Sequence, residues 1–327
     1  LLPVDKVIAR FYPIFGIFLI LMALGVSVAT IMNHGVRPMM DITLQNLYPA
    51  ATQKPIWPLM FITVACGAIS GFHATQSPIV SRTIRNEKEG RRVFYGAMVA
   101  EGIIAMIWAS AAIAFFWNKD GAGTGLKAML EMGGGNPKSV YAICTGLLGK
   151  VGGAIALIGV IACPITSGDT AFRSARMVIF DWFKLNEKDL KIRLSIATPL
   201  LLIGYGISWI KYGVVWRYFS WSNQTLAMIV LWAGAAYLAT NYPNRNRCWL
   251  AAIPATFMSA VSITYLCYAP ECFNLVRLGM QGITISYAVG IVVAALFFVI
   301  FMTRIYLRPQ QSLESQKKII IGRVHSK

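Results

Sequence analysis

Charged residues are scarce in this sequence, and acidic residues are the scarcest. Only 13% of the 327 residues are charged, and 13 acidic residues stand against 30 basic ones, which gives a formal net charge of +17. Soluble domains carry about 25% charged residues, so this composition excludes an ordinary soluble protein. Hydrophobic residues make up 57% of the chain, and several apolar runs reach the roughly 18 residues that a membrane-spanning helix needs. We therefore predict an all-α, polytopic membrane protein.

The motifs of common enzymes and metal sites are also missing. The six cysteines form no CxxC pair and no Cys/His spacing typical of a metal site. The glycine run at 133–135 lacks the Lys-Ser/Thr pair of a phosphate loop. Because neither GxSxG nor HExxH occurs, we predict no enzyme, no catalytic residue, no metal and no cofactor. For Cys267 and Cys272, a disulfide and two packed thiols remain alternatives.

Eight apolar segments are predicted to cross the membrane. They are A, Phe11–Met32; B, Ile56–Ser77; C, Val93–Trp117; D, Val151–Thr166; E, Leu194–Ile210; F, Tyr218–Thr240; G, Cys248–Ala269; and H, Met280–Tyr306. Most lysines and arginines fall in alternate connections, which places residue 1 and the C-terminus in the cytoplasm. The same lysines and arginines contact anionic lipid headgroups, so the net charge of +17 does not indicate a nucleic-acid partner. The prediction is one transmembrane domain at 1–308, an amphipathic surface helix within 167–193 and a polar cytoplasmic tail at 309–327.

Segment B changes character between residues 66 and 78. Small and polar residues replace the leucines and valines expected in a spanning helix, and Ser70, His73 and Ser77 share one helical face. Pro78 has no N–H and leaves the carbonyl of Ala74 without its helical partner. Free backbone groups in a bilayer must face protein or water, so we predict a broken helix that lines a solute site. A kinked helix held by small-residue packing is the alternative. The predicted site residues in B are Ser70, Gly71, His73, Gln76 and Ser77.

Segment D is predicted to be interrupted in a similar way, at Pro164. Paired, Gly/Pro-interrupted segments indicate the binding site of a secondary transporter, and we assign Thr166 and Ser167 to it. Asp169 is a candidate proton-coupling residue, although an i, i+4 ion pair with Arg173 explains it equally well.

Glu101 is the single charge inside the apolar run of segment C. A carboxylate at that depth costs about 3 kcal/mol, so it should be paired, protonated or in contact with water. It is our first candidate for a titrating group, and a fixed Glu–Arg pair that docks helix C is the alternative. Segment F begins with a polar run in which Asn223 and Gln224 either bind solute or bond a neighbouring helix.

Three of these stretches carry a resemblance to a known family. Residues 66–78 (CGAISGFHATQSP), 161–176 (IACPITSGDTAFRSAR) and 216–227 (WRYFSWSNQTLA) resemble the carbon starvation protein A (CstA) family of bacterial inner-membrane transporters. The resemblance implies uptake of peptides or pyruvate, driven by protons, and a core of the LeuT type with broken helices. Family members carry further membrane helices before the point that matches Leu1. We therefore expect this chain to be the C-terminal portion of a longer transporter, with the missing helices supplied by an N-terminal region of that transporter or by a second chain.

The function predicted from the sequence is a proton-coupled symporter for peptide or pyruvate in the bacterial inner membrane. A sodium-coupled cycle stays open, because the carbonyls of a broken helix can also bind Na⁺. The competing hypothesis is a membrane-embedded solute sensor that binds without a transport cycle. Accumulation of solute against a gradient separates the two.

Overall fold

The computed structural model describes residues 4–35, 45–46, 54–117, 125, 136–186 and 189–308. The tail predicted at 309–327 lies outside the described residues. The principal elements are helical, and in the described part of the chain six helices are long and apolar enough to span a bilayer. The chain is thus a multi-pass helical membrane protein. The long helices are α1, Val4–Met32; α2, Ile56–Ala68; α3, Gly71–Ser81; α4, Gly96–Phe116; α5, Asn136–Phe183; α6, Leu190–Ser208; α7, Tyr212–Asn241; α8, Trp249–Tyr268; and α9, Met280–Phe301.

The predicted segments correspond to these helices, with segment B divided into α2 and α3. A turn of π-helix, Arg91–Tyr95, precedes α4, and another, Met302–Tyr306, follows α9. Helices α2 and α3 have 13 and 11 residues, and each alone is shorter than a membrane span. Helix α7 is not one of these six helices, and the polar run at 220–225 lies in its first half.

Segment D differs from its prediction. Helix α5 continues through Pro164 to Phe183, so the predicted break at Pro164 is wrong. The irregularity lies instead at Gly149, whose φ of 68° and ψ of −170° are readily accessible only to glycine. A proline removes a single backbone donor, and a helix in lipid keeps its remaining hydrogen bonds. Residues 167–183, predicted as part of a surface helix, are the last turns of α5.

The chain forms two compact units. Unit 1 comprises Leu1–Pro55 and Thr75–Arg217, and unit 2 comprises Ile56–Ala74 and Tyr218–Lys327. The core of unit 1 joins α1, α4 and α5 through apolar side chains, namely Met22, Val26, Ala111, Ile143, Cys144 and Ala156. Close approach of α1 and α5 occurs at Gly159, where a Cβ would lie 2.9 Å from the carbonyl oxygen of Phe18.

Unit 2 packs α2 and α7 around the pair α8 and α9. At Gly290 of α9, a Cβ would overlap the side chain of Thr264 on α8, so only glycine permits this contact. The 3₁₀ turn Arg245–Cys248 is fixed to the end of the π-helical turn after α9. The Arg245 guanidinium donates to the carbonyls of Ile305 and Arg308, both at 2.9 Å, which satisfies acceptors that a helix end leaves open.

Candidate functional site

A break in the helical backbone separates α2 from α3 at Ile69 and Ser70. The predicted interruption of segment B is therefore present. It lies at Ser70, eight residues before Pro78, and α3 continues through that proline. Ser70 caps α3, because its Oγ accepts from the N–H of Phe72 at 3.2 Å. His73 completes the cap, since its Nδ1 accepts from the N–H of Ser70 at 3.3 Å. The pair resembles a capping box in which histidine takes the place of glutamate, although Ser70 accepts from the second helical N–H rather than the third.

Asn223 of α7 closes the break from the other side. Its Oδ1 accepts from the N–H of Phe72 at 3.0 Å, and its Nδ2 donates to Ser70 Oγ at 2.9 Å. Both side chains are 8% exposed. The N-terminus of α3 therefore presents its backbone donors to a buried amide, although 153 residues separate Ser70 from Asn223 along the chain.

Gly71 allows α3 to approach α7 this closely. A Cβ at this position would overlap the carbonyl oxygen of Asn223 and would lie 2.8 Å from Leu226 Cβ. Gly71, which was predicted as a site residue, is thus required for the packing of α3 against α7 at the break.

Gln224 points to a different neighbour. It is fully buried, and its Nε2 donates to the carbonyl of Ile62 on α2 at 3.4 Å. Trp221, on the same polar run, donates through Nε1 to the carbonyl of Ser262 on α8 at 3.3 Å. The polar run at the start of segment F thus forms hydrogen bonds from α7 to α2, to the N-terminus of α3 and to α8.

The other predicted site residues belong to unit 1. Gln76 and Ser77 are half-buried on α3, next to Thr75, whose carbonyl accepts from Ser174 Oγ of α5 at 2.8 Å. On α5, Asp169 lies 3.1 Å from the guanidinium of Arg173, so the i, i+4 ion pair considered from the sequence is present. Ser70, Gly71, His73 and Asn223 are brought together in unit 2, and Gln224 lies one residue further along α7.

Thr166 and Ser167 border an open cavity of about 330 Å³ between α1 and α5. The cavity is lined by Phe15, Gly16, Leu19, Gly159, Cys163, Thr166, Ser167 and Thr170. Glu101 of α4 has an exposed side chain, and its carboxylate interacts electrostatically with the Cys163 thiol. No group of three or more His, Cys, Asp and Glu side chains that could hold a metal occurs among the described residues.

Sequence reasoning missed a second set of buried polar residues in unit 2. Ser259, Ser262 and Thr264 of α8 and Ser286 of α9 are each at most 1% exposed. Trp232 of α7 donates through Nε1 to Ser259 Oγ at 2.9 Å. The i, i+3 spacing of the two serines was the available signal. It was overlooked because the rest of segment G is ordinary apolar sequence.

Comparison with known proteins connects this geometry to a family. Residues 12–147 match the family model described as carbon starvation protein CstA, and this range contains the α2–α3 break. An uncharacterised protein of Haemophilus influenzae is 48% identical over 124 residues, which are 38% of this chain and 88% of that protein.

Two relatives carry the names of transporters rather than enzymes. The peptide transporter CstA of Bacillus subtilis is 28% identical over 259 residues, 65% of this chain and 42% of that protein. The pyruvate/proton symporter BtsT of Escherichia coli is 37% identical over 113 residues, 29% of this chain and 16% of that protein. The chain thus spans less than half the length of either named transporter. No solved structure is similar enough to be matched. The chain belongs to the carbon starvation protein CstA family.

Proposed function

We propose that the protein containing this chain is a secondary transporter that takes up peptides or pyruvate across the bacterial inner membrane, driven by protons. The supporting observation is the break at Ile69–Ser70, with its buried contacts to Asn223. Broken helices place a helix N-terminus within the membrane, where secondary transporters bind the carboxylate of a substrate. The relatives' names, a peptide transporter and a pyruvate/proton symporter, supply the two substrate classes.

The α3 N-terminus suits a carboxylate because its backbone N–H groups and its helix dipole both favour negative charge. In this conformation Asn223 Oδ1 occupies the acceptor position at the N–H of Phe72. We propose that a substrate carboxylate takes that position while the Asn223 amide turns to donate to it. Ser70, Gly71 and His73 shape this end of the site, and Gln76, Ser77, Thr166, Ser167 and Gln224 complete the proposed set. The LeuT-like arrangement of the core stays a prediction, as do the cytoplasmic position of residue 1 and the C-terminus.

Proton coupling is assigned to Glu101 first and Asp169 second. Glu101 is exposed on α4 within an apolar stretch, where gain and loss of a proton changes the charge of the helix surface. Asp169 forms an ion pair with Arg173, so it is the second candidate. If uptake by a Glu101→Gln variant keeps its full dependence on pH, the assignment to Glu101 is wrong.

The test is uptake by the full-length protein in proteoliposomes. Labelled dipeptide and labelled pyruvate are each offered with and without an inward proton gradient, and a sodium gradient serves as a third condition. Accumulation that the proton gradient stimulates supports the proposal and identifies the substrate class. Stimulation by the sodium gradient alone would identify Na⁺ as the coupling ion. Saturable binding without accumulation would indicate a sensor. An Asn223→Ala variant should raise KM, whereas Asn241→Ala, an exposed asparagine bonded within α7, is the matched control.

A further inference from the structure

Arginines meet at one end of unit 2, where the 3₁₀ turn before α8 lies against the residues that follow α9. The Arg245 guanidinium joins the two segments through its bonds to the carbonyls of Ile305 and Arg308. A third bond, 3.1 Å long, runs from the Tyr306 hydroxyl to the side-chain oxygen of Asn246. The same two segments carry three more arginine side chains, namely those of Arg247 before α8 and of Arg304 and Arg308 after α9.

The four arginines differ in what they contact. Arg245 is half-buried and bonded to its two carbonyls. Arg247, Arg304 and Arg308 are exposed, and their guanidinium groups form no hydrogen bond or ion pair with any described residue. The Arg247 guanidinium lies 5.7 Å from the centre of the Tyr242 ring, a contact that uses the face of the group and leaves the N–H donors at its edge. These donors match the oxygens of a phosphate in geometry and in charge.

Carboxylates are distant from this end of the unit. In the described part of unit 2, the one acidic residue is Glu271. It follows the opposite end of α8, a helix of 20 residues that is about 30 Å long. The positive charge of the three exposed arginines is therefore not offset by a described carboxylate, and this surface attracts an anion.

An exposed apolar surface of α8 begins next to Arg247. Leu250 and Ile253 share one face of the helix and are 81% and 64% exposed. Trp249 packs on the ring of Tyr306 with 5.3 Å between the ring centres, and aromatic residues of this kind mark the boundary between lipid headgroups and acyl chains. A phosphate bound by the arginines would thus have a surface for an acyl chain directly beside it. That combination matches a phospholipid, whereas a free phosphate would use the arginines alone.

We propose that this end of unit 2 is a binding site for one anionic phospholipid. Arg247, Arg304 and Arg308 donate to its phosphate, and Leu250 and Ile253 contact an acyl chain. The lipid bridges the turn before α8 and the residues after α9, so it stabilises the packing of these two helices. The proposal goes beyond the transport function, and it goes beyond the general attraction of basic residues to a membrane because it assigns the lipid to one place.

Thermal unfolding of the full-length protein in nanodiscs tests the stabilisation. Discs of phosphatidylcholine alone are compared with discs of equal parts phosphatidylcholine and phosphatidylglycerol. Phosphatidylglycerol should raise the unfolding midpoint of the parent, because a ligand that binds the folded state stabilises it. The combined variant Arg247→Gln, Arg304→Gln and Arg308→Gln should lose this increase. Each increase is measured within one variant, so a difference in intrinsic stability cancels. An increase of the same size in the parent and in the combined variant, or none in the parent, would contradict the proposal.

Native mass spectrometry of the full-length protein in detergent measures the affinity for phosphatidylglycerol. Each single glutamine substitution should lower it about fivefold, as expected for one basic residue at an anionic surface. Arg247→Lys should lose less than Arg247→Gln, because it keeps the charge and loses only the planar donor group. The matched control is Arg193→Gln, an exposed arginine of α6 in a connection predicted to lie on the same side of the membrane.

Two results of the affinity measurement would overturn the proposal. Equal losses for Arg193→Gln and Arg247→Gln would show a diffuse attraction of basic residues rather than a site in unit 2. Displacement of phosphatidylglycerol by inorganic phosphate would show that the arginines bind a free anion and that the acyl chain does not contribute. Neither measurement depends on transport, so the lipid site and the proposed function are tested separately.

Discussion

The two units bury different kinds of side chain. In the part of the chain that the structure describes, unit 2 encloses eight polar side chains: Ser70, Ser220, Asn223, Gln224, Ser259, Ser262, Thr264 and Ser286. The core of unit 1 is apolar, and several of its predicted site residues lie at an open cavity or on exposed helix surface. Many polar groups of unit 2 are bonded between helices, whereas the two threonines of the cavity are bonded only within α5.

This contrast separates two uses of polar residues in a membrane protein. Polar side chains that bridge helices stabilise the fold, and substituting one strands a buried partner. Polar side chains that are satisfied within their own helix leave acceptors for a ligand, and substituting one has little effect on folding. Unit 2 should therefore be sensitive in stability, and unit 1 should be sensitive in binding.

The largest effect is expected at Gly71 in unit 2. Gly71→Ala places a Cβ against the Asn223 carbonyl and Leu226, and should lower the free energy of unfolding by about 1–3 kcal/mol. Gly168→Ala on α5 of unit 1 is the control, because nothing lies within 4 Å of its Cβ position. Thermal unfolding in detergent measures both. Equal midpoints for the two variants would show that α3 does not approach α7 as described.

A double-mutant cycle tests the contact between Ser70 and Asn223. Each alanine substitution should cost about 1–2 kcal/mol, since it strands the other buried group. The coupling between them should be about 0.6 kcal/mol or somewhat more, as for other bonds between membrane helices. Thr166→Val in unit 1 should stay within about 0.5 kcal/mol of the parent. Additive effects at Ser70 and Asn223 would contradict the distinction between the units.

A smaller effect is expected at the Asp169–Arg173 pair. The two side chains are 26% and 28% exposed, and partly exposed ion pairs contribute about 0–1 kcal/mol. Asp169→Asn should therefore leave the midpoint of unfolding nearly unchanged. A large loss of stability would show that Asp169 is part of the core of unit 1 rather than of its surface.

The smallest effect concerns Cys272 in unit 2, for which a disulfide with Cys267 was one alternative. Both residues are described and both are free thiols. Burial, and secondarily the Glu271 carboxylate, raise the pKa of the Cys272 thiol above its usual range, so less thiolate is present at a given pH. Glu271→Gln should lower that pKa and speed alkylation about twofold near neutral pH. An unchanged pH–rate profile would show that the Glu271 carboxylate does not contribute to the pKa of the Cys272 thiol.

Segment B shows how far the sequence leads to the site. Its small and polar composition predicted an interrupted helix, and the interruption is confirmed, but at Ile69–Ser70 rather than at Pro78. Pro78 and Pro164 both lie inside continuous helices, because each removes one donor and leaves the rest of the helix intact. The observed break depends on Asn223, a residue far along the chain, and local patterning carries no signal of such a partner.

The sequence by itself determined that this chain is a helical membrane protein, through its low charge and its long apolar runs. The polar stretches of segments B and F also indicated a candidate site on the helices that contain them. The first conclusion follows from hydrophobicity, which sums over local residues. Only the tertiary structure decided that Asn223 completes the cap of α3, that Gln224 bonds to α2, and that Thr166 and Thr170 face a cavity with Phe15. These outcomes depend on how close helices approach one another, and glycines such as Gly71 and Gly159 set that distance through the atoms they lack.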